Sequence, residues 1–307
     1  MNNIFNIKFS NSEIRRKIKQ FIINIFLRIS RRYREKHLKR WYYRKTNHKL
    51  NLIKPQTYGE KIQWLKLNDS TLLKSELADK YAVRNWIKNK IGTDYLIPLI
   101  GYWKKFDDIN FDNLPNQFVL KCNHGSGYNI AVKDKSQFDY DEAKKQFDIW
   151  MKEDYGFRQG LELHYSRIKR KIIAEEYIDS SLSEVELQAY CFNGKVKFIS
   201  YLTDKSQEKR YKCLFTPNWQ VAEFKMGVEK FLDFEIVPPK PKCLEEFLEI
   251  SEKLAQGFYH VRVDFIIYNG KLKFREMTFT PSNGTSRFEP EDAAFEIGKM
   301  MILPCDL

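Results

Sequence analysis

Two Asn-Gly dipeptides, Asn193-Gly194 and Asn269-Gly270, lie between runs of alternating apolar and polar residues. A two-residue hairpin turn needs positive φ at both central positions, which Asn and Gly adopt at little cost. Each dipeptide therefore predicts an antiparallel pair, 187–192 with 195–202 and 260–267 with 271–278. Apolar runs at 118–121, 129–132 and 171–177 add further strands, and periodicity predicts helices at 59–68, 79–91, 140–153, 242–256 and 290–301. The chain beyond residue 50 is expected to be an α/β or α+β body. With 307 residues, 43% of them hydrophobic, it can bury one or two cores.

Charge divides the chain unevenly. Residues 1–50 hold 15 of the 53 Lys and Arg but only Glu13 and Glu35 of the 40 acids, and the remainder is balanced. The net charge of +13 thus describes one segment, which argues against nucleic acid as a partner of the body. Within that segment Ile14, Ile18, Phe21, Ile22, Ile25 and Phe26 recur at helical spacing, so 13–45 is expected to form a basic amphipathic helix or a pair of helices. Two readings fit: a peripheral anchor on an anionic membrane surface, each cation contributing roughly 1 kcal/mol, or a helix packed on the body. The apolar stretch 21–27 is far shorter than the ~20 residues that span a bilayer and precedes no small-residue cleavage site. Five scattered cysteines, Cys122, Cys191, Cys213, Cys243 and Cys305, form no C-x-x-C pair and suit a reducing compartment. The expected location is cytoplasmic, peripheral on the inner membrane face if the basic segment binds lipid.

Four patterns carry chemistry. After the strand at 118–121 comes Lys121-Cys122-Asn123-His124-Gly125-Ser126-Gly127, where glycines let backbone N–H groups approach an anion and Lys121 adds positive charge. It matches neither the P-loop nor G-x-G-x-x-G, and many such loops merely turn the chain. Across the Asn269-Gly270 turn, Arg262 and Asp264 oppose Arg275, Glu276 and Thr278. Pairing there can bring the Asp264 and Glu276 carboxylates together, as a hard divalent cation requires, or Arg262 and Arg275 can simply neutralise them. The strand at 171–177 contains Glu175-Glu176, with Glu186 at the head of the next strand; this reads as an adenine and ribose lining or as a buried strand with a polar exit. Asp79 can cap a helix presenting Lys80 and Arg84 on one face.

In this order the four patterns resemble the ATP-grasp arrangement. Over about four-fifths of the chain, 54–295, they resemble more narrowly the TupA-like ATP-grasp family of teichuronopeptide and cell-surface polysaccharide biosynthesis. The resemblance rests on 58–67, 78–84, 118–127 and 153–156, and on Val261-Arg262-Val263-Asp264 with Glu276-Met277-Thr278-Phe279-Thr280-Pro281. It implies an ATP-grasp fold that holds a nucleotide between two α+β subdomains: the basic segment at 1–50, an N-terminal subdomain at 51–115, a glycine-loop lid at 116–180 and a C-terminal subdomain at 181–307. It implies further that Lys80 and Lys121 contact the phosphates of ATP beneath Gly125-Ser126-Gly127. Glu175, Glu176 and Ile178 would line the adenine and Glu186 would hold the ribose. Asp264, Glu276 and Thr278 would bind Mg²⁺, and Arg262 would face an acyl phosphate. The implied activity is ADP-forming ligation of a carboxylate to an amine, with Arg262 and Lys121 as catalytic candidates. Its substrates would be a uronic acid of a lipid-linked glycan and an amino acid or other amine. Tyr128 stands where relatives often carry a further glycine, and Thr278 where many ATP-grasp ligases carry Asn; a stiffer loop and weaker metal affinity are expected.

Two other functions compete. Asp139-Tyr140-Asp141 is a formal D-x-D match to a glycosyltransferase, although acids there also suit a helix start. A non-catalytic, membrane-associated ATP-binding scaffold is the third reading, supported by Thr278. The cysteines and five histidines form no nucleophile–base set, which agrees with a reaction that needs no side-chain nucleophile.

Overall fold

The computed structural model describes residues 23, 25–158, 160–178, 183–206, 209–228 and 230–306. Two compact units divide between Lys49 and Leu50. In the first, the Ser30 hydroxyl accepts from the Tyr33 N–H and opens helix α1, Arg31–Thr46, which ends on left-handed Asn47 (φ 61°). Of the apolar stripe expected over 13–45, Ile14, Ile18, Phe21 and Ile22 lie outside the described residues, while Ile25 and Phe26 are exposed. Successive residues turn about 100° around a helix, so Arg31, Arg32, Arg34 and Lys36 point to different sides. Helix α1 carries basic residues on most of its sides and buries a narrow stripe of Leu38, Trp41 and Tyr42. Among the described residues no helix is long and apolar enough to cross a membrane.

In the second unit Thr57 and Glu60 form a capping box that starts α2, Tyr58–Asn68. The helix expected over 79–91 is shorter: α3, Leu72–Ala78, stops at Asp79, and α4, Val83–Lys90, begins after a turn. Asp79 Oδ1 accepts from the Tyr81 and Ala82 N–H groups at 2.8 and 3.2 Å and from Asn123 Nδ2 at 2.8 Å. This carboxylate therefore ties the turn to the glycine loop.

Strands β1 Leu99–Trp103, β2 Phe118–Cys122, β3 Asn129–Val132 and β4 Ile172–Glu176 form an antiparallel sheet in the order β1-β4-β2-β3. Helix α5, Tyr140–Lys152, packs on it through Ala143 and Phe147. Asp139 accepts from the Glu142 N–H at 2.9 Å and caps this helix; the D-x-D match is a helix start.

Strands β5 Ser183–Phe192, β6 Lys195–Ser206, β7 Lys209–Phe215, β9 His260–Tyr268 and β10 Lys271–Thr278 make a second antiparallel sheet, ordered β10-β9-β5-β6-β7. A short ribbon pairs β8, Lys225–Met226, with β11, Phe288–Glu289. Both Asn-Gly turns have positive φ at both positions: 48° and 80° at Asn193 and Gly194, 51° and 71° at Asn269 and Gly270. Side chains alternate across the sheet. Leu187, Ala189, Cys191, Val261 and Val263 share a core with Phe247 and Leu254 of α6, Leu244–Ala255. Tyr190, Phe192 and Phe198 share another with Tyr58 and Ile62 of α2 and Ile297 of α7, Ala293–Lys299. Strands β1 and β7 were not expected: Pro98 and Gly101 interrupt the first pattern, and Lys209, Arg210 and Lys212 fill the second.

Burial fixes one protonation state. His260 Nδ1 lies 2.8 Å from the Cys191 carbonyl and Nε2 lies 3.1 Å from the Tyr58 hydroxyl. A carbonyl only accepts, so Nδ1 carries the proton and Nε2 accepts from Tyr58. Burial lowers the pKa of His260 and of His164 from 6.5 to about 3. Between those values the unfolded chain takes up protons that the folded protein refuses. The contribution of these two rings to stability is therefore full above pH 6.5 and declines as pH falls, by up to about 1.4 kcal/mol per pH unit for each. His124, which burial lowers to about 4, adds to the decline, and Asp264, which burial raises to about 7, opposes it. In circular-dichroism melting between pH 7 and 5, His164→Phe, which removes a ring whose Nε2 has no hydrogen-bond partner, should gain on the wild-type protein as pH falls, by up to about 1.4 kcal/mol per pH unit.

Candidate functional site

Strand alternation decides where the polar side chains of the second sheet go. On one face Glu186, Gln188 and Tyr190 follow one another along β5, Arg262 and Asp264 lie beside them on β9, and Glu276 and Thr278 lie on β10. The register sets Tyr190, Arg262 and Thr278 side by side, and likewise Gln188, Asp264 and Glu276. The face that buries Tyr190, Phe192 and Phe198 therefore ends in a polar row.

Arg262 organises that row. Its Nε donates to Asp264 Oδ1 at 2.7 Å, and its Nη2 donates to Asp264 Oδ2 at 2.5 Å, Glu276 Oε1 at 3.1 Å and Thr278 Oγ1 at 3.2 Å. Thr278 in turn donates to Glu276 Oε1 at 2.9 Å. Gln188 Nε2 reaches Glu186 Oε1 at 2.7 Å and Asp264 Oδ2 at 3.4 Å. Both readings of the hairpin thus hold together: the carboxylates are neighbours, and Arg262 neutralises part of their charge. Burial pushes Asp264 up to about 7 against the pull of Arg262. At Glu276, whose side chain keeps 32% of its exposure, Lys80, Arg262 and Arg275 outweigh burial and hold the carboxyl below its usual range.

The glycine loop closes where the Cys122 N–H donates to the Tyr128 carbonyl at 2.9 Å. Gly125 has φ 94°, and a Cβ there would meet the Tyr155 ring at 2.5 Å; glycine lets that ring cover the loop. Asn123 is the loop's anchor: its N–H donates to the Lys171 carbonyl at 3.0 Å, its Nδ2 to Asp79 and to the Lys169 carbonyl. Tyr128 is held at the far stem. Its hydroxyl bonds Glu153, Arg158 Nη1 donates to it at 3.2 Å, and its ring stacks on Trp150.

The remaining expected residues divide between the two halves. Lys80 lies in the turn before α4, apart from the helix face expected to present it, and its Nζ donates to the Gly125 carbonyl at 2.5 Å. Lys121 and Arg84 converge on Glu175 at 2.6 and 2.8 Å, so the Glu175 side chain sits in a buried ion-pair network. Burial lowers the Lys121 pKa. Glu176 is exposed and Ile178 half-buried. Glu186 joins the carboxylate row, with Arg210 Nη2 at 3.3 Å. Lys80 and Arg275 act electrostatically on Glu276, and Arg275 on Lys121, so the cations beside the loop lie within electrostatic reach of the row. Ser126 and Gly127 complete the loop, and nothing lies within 4 Å of a Cβ built on Gly127.

Sequence reasoning missed Gln188 and Arg210; it named Arg84 without its partner Glu175 and the 153–156 stretch without the cover Tyr155 gives the loop. Parity along β5 would have found Gln188 had the pairing of β5 with β9 been known. Among the described residues no three His, Cys, Asp or Glu side chains converge as a ready metal site; the row offers two carboxylates and a hydroxyl.

The family model described as TupA-like ATPgrasp matches residues 60–302. No protein of curated function matches the chain. Among solved structures, D-alanine–D-alanine ligase from Bacillus anthracis complexed with ATP is 16% identical, with 66% of this chain and 54% of that chain covered and a TM-score of 0.39. L-amino acid ligase from Bacillus licheniformis is 14% identical, with 72% and 46% covered and a TM-score of 0.43. D-alanine–D-alanine ligase from Helicobacter pylori is 14% identical, with 81% and 67% covered and a TM-score of 0.44. The chain spans about half the length of the first two. The family match, extending over both sheets, the glycine loop and the carboxylate row, assigns the fold: this chain belongs to the TupA-like ATP-grasp family.

Proposed function

We propose that the protein is an ATP-dependent carboxylate–amine ligase of cell-surface or capsular polysaccharide biosynthesis that joins a uronic acid of a glycan to an amino acid or other amine. The observation that carries this reading is the registered row of Asp264, Glu276 and Thr278 beside Arg262, within electrostatic reach of Lys80, which itself bonds the glycine loop. Its donors are all oxygen, the set a hard divalent cation takes. Mg²⁺ fits these residues, and when bound it would supply positive charge at phosphate oxygens.

Lys80 and Lys121 would hold the phosphates of ATP beneath Gly125-Ser126-Gly127, with Glu175, Glu176 and Ile178 along the adenine and Glu186 at the ribose. To do so Lys80 must release the Gly125 carbonyl and Lys121 must loosen from Glu175. Arg262 would hold the oxygens of the substrate carboxylate and stabilise charge that develops on its carbonyl. The carboxylate takes the γ-phosphoryl group, ADP leaves, and the amine displaces phosphate to form the amide. Incubation with ATP, Mg²⁺ and pools of uronic acids and amines should yield ADP and phosphate in equal amounts only when both acid and amine are present. Release of nucleoside diphosphate from a sugar nucleotide would overturn this in favour of glycosyl transfer, and tight ATP binding without turnover in favour of a scaffold.

The 13–45 segment supports a cytoplasmic enzyme held on an anionic membrane surface, since α1 alone carries eight Lys and Arg against one Glu. Co-sedimentation with phosphatidylglycerol vesicles should weaken with added salt and on deletion of residues 1–49. Unchanged binding after deletion would remove the membrane reading.

A further inference from the structure

A cavity of about 320 Å³ opens at the far edge of the second sheet, between β7, the β8–β11 ribbon and the 227–237 segment. That volume lies within the range of small-molecule sites. Leu214, Phe224, Met226, Phe231 and Phe234 line it. Its four charged residues balance, Lys212 and Lys225 against Asp233 and Glu289. Lys225 pairs with Asp233 at 2.5 Å, while Lys212 Nζ donates to the Met226 carbonyl at 2.9 Å and lies 4.8 Å over the Phe231 ring. A cavity with aromatic walls and no net charge disfavours a bare ion and favours hydrocarbon.

The mouth has the same character. Of the lining residues Val221, Val228 and Val237 are 50%, 37% and 59% exposed, and Leu232 and Ile236, neighbours in sequence of the lining residues Phe231 and Val237, are 44% and 83% exposed. Five exposed aliphatic side chains in 17 residues mark a surface that takes an apolar ligand or partner. The concave wall selects a chain over a flat surface. Arg210 lies between the cavity and the end of the polar row: its guanidinium is 5.7 Å over the same Phe231 ring and 3.3 Å from Glu186.

We propose that this cavity binds the hydrocarbon chain of an amphiphilic acceptor whose carboxylate is presented to the Asp264–Glu276 row. What the chain carries rests on the ligase reading; the affinity for hydrocarbon does not. Full-length protein is titrated calorimetrically with n-alkyl β-D-maltosides of six to twelve carbons, below their micellar concentrations. Affinity should rise about threefold to fourfold per added methylene until the cavity is filled. Site-resolved mass spectrometry of iodoacetamide-treated protein should show Cys213, which lines the cavity, protected by the dodecyl probe, while exposed Cys305 reacts as before. Val228→Asp at the mouth should lower dodecyl maltoside affinity about tenfold. Chain-length-independent affinity, equal protection of both cysteines, or wild-type affinity in Val228→Asp would overturn the proposal. Binding to phospholipid vesicles but to no monomeric maltoside would overturn it too, in favour of membrane contact. ATP binding measured in the same samples keeps the two readings apart: a chain-length series without ATP binding sinks the ligase and leaves the cavity, and ATP binding without the series does the reverse.

Discussion

Asp264→Asn should cut nucleotide-dependent ADP release by about a thousandfold while the protein stays folded. The amide keeps the size of the side chain and still offers Arg262 an acceptor. Glu276, 3.1 Å from the same guanidinium, remains as counter-charge, so stability should fall by only about 1–3 kcal/mol. What the substitution removes is one carboxylate donor from the row of Asp264, Glu276 and Thr278, a group that a bound cation would hold ionised. Initial rates across a Mg²⁺ titration should show no return to wild-type turnover at any concentration, and near-normal turnover at low Mg²⁺ would refute the assignment of the row. Lys121→Ala is a less clean probe of the same site. It would leave buried Glu175 with Arg84 as its remaining partner in this network, so lost activity and lost stability would arrive together.

The hairpins were legible because their information is local. An Asn-Gly pair tolerates two positive φ angles, and that fixes the pairs from Tyr268 with Lys271 to Phe265 with Phe274. The adjacency of Asp264 and Glu276 does not follow from the turn: continued without interruption the pairing would set Arg275 opposite Asp264, and a register shift at Arg275 brings Glu276 there instead. Nor does the pairing of β5 with β9, because 67 residues separate Phe192 from His260 and no turn chemistry records which distant strand lies alongside. Gln188 was invisible for that reason, as was the arrival of Glu186 beside the carboxylates. Asp79 shows a different limit: an acid before a helical pattern reads as a cap, but its carboxylate is satisfied by a turn and by Asn123, 44 residues on. The 204–240 stretch carried no periodic pattern at all. Its β7 strand is hidden by charge, and its apolar residues gather around a cavity whose walls come from four separate segments.

The largest effect on stability is expected at Arg262. Asp264 and Glu276 are cross-strand partners, and like charges directly opposed destabilise a sheet unless something holds them. In this structure the Arg262 guanidinium, whose side chain keeps 13% of its exposure, reaches both. Arg262→Gln leaves one amide where a bidentate cation stood, and breaking a buried network from one side costs about 3–5 kcal/mol. The same loss creates a vacancy for a cation. A ligand that binds only the folded state stabilises it by about 2.7 kcal/mol at a hundred times its Kd. Millimolar Mg²⁺ should therefore raise the Tm of Arg262→Gln by several degrees more than that of the wild-type protein, in which arginine competes for the same oxygens. Adding Asp264→Asn to the variant should abolish that extra shift. Equal Mg²⁺ shifts in wild type and Arg262→Gln would mean that the two carboxylates serve the arginine alone, and the metal would have to be sought elsewhere.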